Sequence, residues 1–87
     1  MTERIFTVLS REKIAFDVYK LILEGDTDAV SAPGQFVNIK LNGLFLRRPI
    51  SVCDYDKDSL TLIYKVVGVG TEKMAGLSPG DKLDILV

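Results

Sequence analysis

The sequence contains no histidine and a single cysteine, Cys53. Without histidine the commonest general base and the commonest zinc ligand are gone, and no Ser-His or Cys-His pair can be assembled into a hydrolase. One cysteine excludes an intrachain disulfide and any all-cysteine metal cluster, and in a chain with no secretory leader it points to a reducing cytoplasm. No apolar run approaches the roughly 20 residues needed to cross a bilayer as a helix. Charge of one sign is also missing: 11 Lys+Arg stand against 12 Asp+Glu, a formal net charge of −1, so no bulk field draws nucleic acid or an anionic membrane. Any anion site must be local.

What is present is enough for one folded domain. The chain has 87 residues, 47% hydrophobic and 26% charged, a composition that buries a core and leaves no room for a second domain. Arg4 to Arg11 (RIFTVLSR) and Phe16 to Glu24 (FDVYKLILE) read as two antiparallel strands separated by a charged break at Arg11 to Lys13. In the second, Phe16, Val18, Lys20 and Ile22 share one face and Tyr19, Leu21 and Leu23 the other, as in a sheet covered on both sides. A loop ends in Pro33-Gly34, suited to a type II turn. Gln35 to Leu41 then alternates Val37, Ile39 and Leu41 with polar residues. Asn42-Gly43 signals a tight turn of the type I′ hairpin kind. The polar stretch Asp54 to Ser59 leads into Leu60 to Val67, where Leu60, Leu62, Tyr64 and Val66 line one face. Glycines at 68 and 70 break that strand, and Glu72 to Ala75 suit one helical turn ended by Gly76. Pro79-Gly80 repeats the earlier turn, and Lys82 to Val87 closes with Leu83, Ile85 and Val87 on one face. The expectation is an all-β fold: a six-stranded antiparallel Greek-key β-barrel with one short helix, spanning residues 1–87. Because the sequence still reads as a strand at Val87, an N-terminal piece of a larger subunit is expected, and its last strand offers an edge for pairing with a second copy.

Two stretches carry candidate chemistry. LRRPISVCDY, Leu46 to Tyr55, runs two arginines and a proline into a strand. Proline cannot donate to a ladder, so Pro49 implies an edge, a bulge or a place where pairing gives way. Taken alone, Arg47 and Arg48 read as solvated edge charges that discourage aggregation. Arginine also suits phosphate, because its planar fork makes two parallel charge-assisted hydrogen bonds. The second stretch is KVVGVGT, Lys65 to Thr71, which ends a strand and opens the helical turn. Amides at such a helix start favour an anion, yet Gly-x-Gly is neither a dinucleotide fingerprint nor a P-loop, and glycine pairs commonly just turn the chain.

Together, Arg48-Pro49-Ile50-Ser51, then Leu62-Ile63-Tyr64-Lys65, then Val69-Gly70-Thr71 resemble the flavin-binding barrel of the ferredoxin reductase superfamily. Within it, the run from Pro33 onward is similar to the electron-transfer subunits of the two-subunit, NAD-dependent dihydroorotate dehydrogenases. The resemblance implies FAD as cofactor and assigns the residues binding roles. Arg48 contacts the phosphate side, Ser51 lies near flavin N5, and Pro49 and Ile50 shape the backbone beside the ring. Ile63, Tyr64 and Lys65 border the isoalloxazine and ribityl groups, and Gly70 and Thr71 form the phosphate-binding helix start. No residue is expected to be catalytic and none to bind metal; the cofactor carries the redox chemistry. Many members of the superfamily have an aromatic residue where Ile50 stands, so stacking from that position is lost here. The implied partner is the FMN-containing catalytic subunit, and the implied role is electron relay with NAD in pyrimidine biosynthesis. The family's [2Fe–2S] cluster needs four ligands, which Cys53 alone cannot supply. Without a nicotinamide-binding domain the 87 residues are not expected to be a competent enzyme. A flavin-free protein-interaction module is the alternative. An oligonucleotide-binding barrel fits less well, because its aromatic platforms along a basic groove are missing.

Overall fold

The computed structural model describes residues 3–40, 47–66 and 76–87. They form six strands: β1 Glu3–Ala15, β2 Val18–Glu24, β3 Phe36–Lys40, β4 Arg48–Tyr55, β5 Ser59–Lys65 and β6 Lys82–Leu86. Every pairing is antiparallel, and the order β1-β2-β5-β4-β3-β6 closes on itself as a barrel. The chain therefore passes from β2, which lies between β1 and β5, across one end of the barrel to β3, which lies between β4 and β6. This is the Greek-key crossing expected from the sequence. No helix occurs among the described residues, and hence none long and apolar enough to cross a membrane. The expected helical turn at Glu72 to Ala75 and the tight turn at Asn42-Gly43 lie outside them.

Period-two patterning decides which side chains fill the barrel. Phe6, Leu21, Leu23, Val37, Ile39, Leu60, Leu62 and Ile85 are fully buried, joined by Val8, Val52, Ile50, Tyr64, Leu83 and Val87. Each aliphatic side chain taken out of water contributes about 1.5–3 kcal/mol.

The first hairpin differs from the sequence reading. Arg11 to Lys13 do not interrupt β1; the strand runs on to Ala15 and turns through Phe16 and Asp17. Asp17 takes a positive φ of 55°, a conformation an aspartate tolerates. Phe16 consequently sits at the hairpin tip, 83% exposed, rather than on the face of β2. A charged trio is compatible with a strand here because this end of the hairpin reaches past the packed core: residues 12–16 are all exposed.

The two Pro-Gly turns match each other. Gln35 N–H donates to Ala32 O at 3.3 Å and Asp81 N–H to Ser78 O at 3.0 Å, with Gly34 at φ 92° and Gly80 at φ 94°, as a type II turn requires. Each turn then docks on a neighbouring valine in the same way. Gly34 N–H donates to Val52 O and Val52 N–H to Gln35 O; Gly80 N–H donates to Val8 O and Val8 N–H to Asp81 O. Directly after each valine the register shifts, between Val52 and Asp54 and between Val8 and Ser10. The bulge in β4 thus falls at Cys53, not at Pro49.

Candidate flavin site

Strand β4 divides its pairing. Arg48 to Ser51 pair with β3, whereas pairing with β5 begins at Val52, opposite Leu62. Beyond that point β5 continues beside β2, with Ile63 opposite Lys20, Tyr64 opposite Tyr19 and Lys65 opposite Val18. The halves of β4 and β5 that carry the expected binding residues are therefore neighbours without being a ladder. The proline explains why this is tolerated. Val52 N–H points toward β3, so alternate residues Ile50 and Arg48 turn their amides the same way, and Pro49 turns its nitrogen toward β5. A missing donor costs nothing where no pairing is made. The expectation that Pro49 marks a place where pairing gives way is met.

Alternation sorts the expected residues by face. Pro49, Ser51, Ile63 and Lys65 are exposed on the outer surface, while Ile50 and Tyr64 are buried and face the barrel interior. The outer row combines an apolar ring, a hydroxyl, a branched alkyl group and an ammonium, a donor set that fits a flat, partly apolar ring with polar edges and an anionic tail. Arg48 is placed by its backbone alone, opposite Ile39, and its side chain lies outside the described part. Gly70 and Thr71 also lie outside it, so a common diphosphate pocket formed by residues 48, 70 and 71 remains an expectation from the sequence.

Tyr64 is held by its cross-strand neighbour. Its ring stacks on Tyr19 with centroids 5.9 Å apart and an interplanar angle of 21°, and the Arg11 guanidinium lies 5.0 Å from the Tyr19 centroid. Arg11 Nε in turn donates to Leu77 O at 2.7 Å. Burial pushes the Tyr64 phenol up to about 12, partly opposed by the positive charge of Arg11 and slightly reinforced by Tyr19. The sequence grouped Tyr19 with Leu21 and Leu23, and Tyr64 with Leu60 and Leu62, but could not bring the two tyrosines together, since their pairing depends on register.

Arg47 corrects the reading of the arginine pair. It is not a solvated edge charge, for its guanidinium is largely buried and fully engaged with neighbouring strands. Its Nη1 donates to Asn38 O at 3.3 Å and Asp84 O at 3.2 Å, and its Nη2 pairs with Asp84 at 3.1 Å and Glu3 at 3.3 Å. One guanidinium thereby ties β1, β3 and β6 together. The terminal strand β6 has no open side, being paired with both β1 and β3.

No family model matches the chain. In an alignment of 90 positions that covers 99% of its length, it is 43% identical to the electron transfer subunit of dihydroorotate dehydrogenase B (NAD(+)) from Listeria innocua. The corresponding subunits from Bacillus mycoides and Enterococcus faecalis are each 39% identical over 99% and 97% of the chain. The chain spans about a third of the length of these curated relatives: 35%, 36% and 34%. Among solved structures, an NADH-dependent reduced ferredoxin-NADP oxidoreductase superposes with a TM-score of 0.83 at 28% identity, covering 94% of this chain and 32% of that one. A cytochrome P450 reductase from Amycolatopsis gives 0.78 at 26%, covering 97% and 27%. A siderophore-interacting protein from Acinetobacter baumannii shares the fold at 11% identity, with a TM-score of 0.81 over 100% of this chain and 40% of that one.

Proposed function

We propose that this barrel, whose sequence relatives are electron transfer subunits of dihydroorotate dehydrogenase B, is the FAD-binding part of such a subunit. When bound, FAD supplies the hydride and single-electron chemistry that no side chain of this protein can perform. The residues bind and orient. Arg48, with the amides of Gly70 and Thr71, takes the diphosphate; Pro49, Ile63 and Lys65 border the ring and ribityl chain; Ser51 offers its hydroxyl at the ring's reacting edge. Ile50 and Tyr64, facing inward, hold the two strands at their spacing from behind. The single observation that carries the reading is the parting of β4 from β5 beyond Val52, with these exposed side chains on its two banks.

In the whole subunit the barrel relays electrons between an FMN-containing catalytic partner and NAD in the cytoplasm, in the service of pyrimidine biosynthesis. The [2Fe–2S] cluster of that relay does not fit this chain, whose one cysteine cannot supply its ligands.

Titration with FAD tests the proposal. The protein turns yellow and its melting temperature rises, since ligand at about 100 times its Kd adds roughly 2.7 kcal/mol of stability. Arg48→Ala weakens binding by about 2 kcal/mol, the worth of a charge-assisted contact, and FMN stabilises less than FAD. A protein indifferent to both flavins is instead a flavin-free interaction module.

A further inference from the structure

The outer face beside Ser51 contains one large side chain to which the sequence motifs assign nothing. Phe36 opens β3 directly opposite Ser51, and the two residues, as a cross-strand pair, project from the same face. Hydrogen bonding brackets the pair: Val52 N–H reaches Gln35 O one step away, so Ser51 directs its own amide away from β3. In such a non-hydrogen-bonded pair the side chains stand closest, with Cβ atoms about 4.5–5.5 Å apart. Phe36 is 62% exposed, although its neighbour Val37 is fully buried. A single exposed phenylalanine means little on a protein surface. One fixed within a side chain's length of the Ser51 hydroxyl has a defined neighbour.

The inward rotation of Ile50 and Tyr64 sharpens the point. Neither presents its side chain to the outer surface, so an isoalloxazine ring lying there would meet no aromatic from residues 48–51 or 63–65. We propose that Phe36 supplies the aromatic wall of the flavin site, flanking the bound ring beside Ser51 and excluding water from that edge. This inference rests on the FAD reading above and adds to it a residue outside the signature motifs. An aromatic contact of this kind, lost on truncation to alanine, weakens ligand by on the order of tenfold.

The absence of tryptophan from the sequence makes the test specific. The full chain is titrated with FAD as wild type, Phe36→Ala, Phe36→Leu and Phe36→Trp, with Phe16→Trp at the far-exposed hairpin tip as the control. Phe36→Ala is expected to raise the Kd about tenfold with the melting temperature of the ligand-free protein unchanged, and Phe36→Leu to recover part of the loss. In Phe36→Trp, indole at the ring quenches the emission of bound FAD, whereas Phe16→Trp leaves that emission as in wild type. If wild type binds FAD but Phe36→Ala binds it equally well, or if both tryptophan variants leave the bound flavin equally bright, the assignment of Phe36 is overturned while the FAD reading stands. A wild-type chain that takes up no FAD removes both.

Discussion

At the scale of single residues, neighbouring side chains of one type serve different ends. Arg47 is half-buried and spends its donors on two strand carbonyls and two carboxylates, while Arg48 is the candidate phosphate contact. Arg47→Gln should therefore lower stability by about 1–2 kcal/mol, because backbone carbonyls lose a charged donor while the partly exposed ion pairs add little. Its FAD affinity should stay near that of wild type. Urea unfolding together with flavin titration separates it from Arg48→Ala, which should show the opposite pattern. Tyr64 gives a pH-dependent outcome. The folded protein keeps its phenolic proton to about pH 12, whereas an unfolded tyrosine releases it near its ordinary value of 10.0. The folded state binds the proton more tightly, so this contribution is complete below pH 10 and disappears as pH climbs toward 12. The urea midpoint of wild type should fall across that window, and the fall should be shallower in Tyr64→Phe.

At the scale of elements, glycine has two distinct jobs. At Gly80 the requirement is conformational: φ is 94° and nothing lies within 4 Å of an added Cβ, so Gly80→Ala should cost about 1–3 kcal/mol through backbone strain alone. At Gly25 the requirement is space. An added Cβ would stand 2.6 Å from the fully buried Phe6 ring, which must then shift within the core. Gly25→Ala should cost about 1–3 kcal/mol as overpacking, and Phe6→Leu in the same chain should recover part of that cost, which identifies the cause. Urea titration of the two singles and the double measures both. The connection that starts at Gly25 is fixed further on by Thr27, whose buried hydroxyl lies 2.6 Å from Asp56 O and 2.9 Å from Lys57 O in the β4–β5 turn.

Much of this was legible in the sequence because local rules and the tertiary structure agree. Leu60, Leu62 and Tyr64, or Leu83 and Ile85, alternate cleanly because one side of each strand meets the core. Both Pro-Gly pairs announce turns because φ is preset at one residue and permitted at the next. The long first strand was not legible: Arg11 to Lys13 look like a break, and only the pairing of Arg11 with Leu21 and Lys13 with Tyr19 keeps them in a ladder. The outer site was half legible. The family resemblance picks out residues 48–51 and 63–65, but which of them face outward, and that Phe36 stands opposite Ser51, follows from register between strands far apart in sequence. Arg47 looked like its neighbour because its partners come from β1, β3 and β6.

At the scale of the whole molecule, closure couples all six strands. Each is flanked on both sides, and β1 meets β6 through pairs such as Phe6 with Leu83, so no strand can leave without exposing the shared core. Unfolding should be a single transition in which far-UV circular dichroism and tyrosine fluorescence coincide; separate midpoints would show that part of the barrel melts alone. The parting of β4 and β5 sits in the wall of this closed structure. Just past it, at the bulge, stands Cys53, exposed and the sole thiol in the chain. A fluorophore coupled there through sulfur would sit two residues from Ser51 without altering a single codon, and its colour would register whatever occupies the neighbouring outer face.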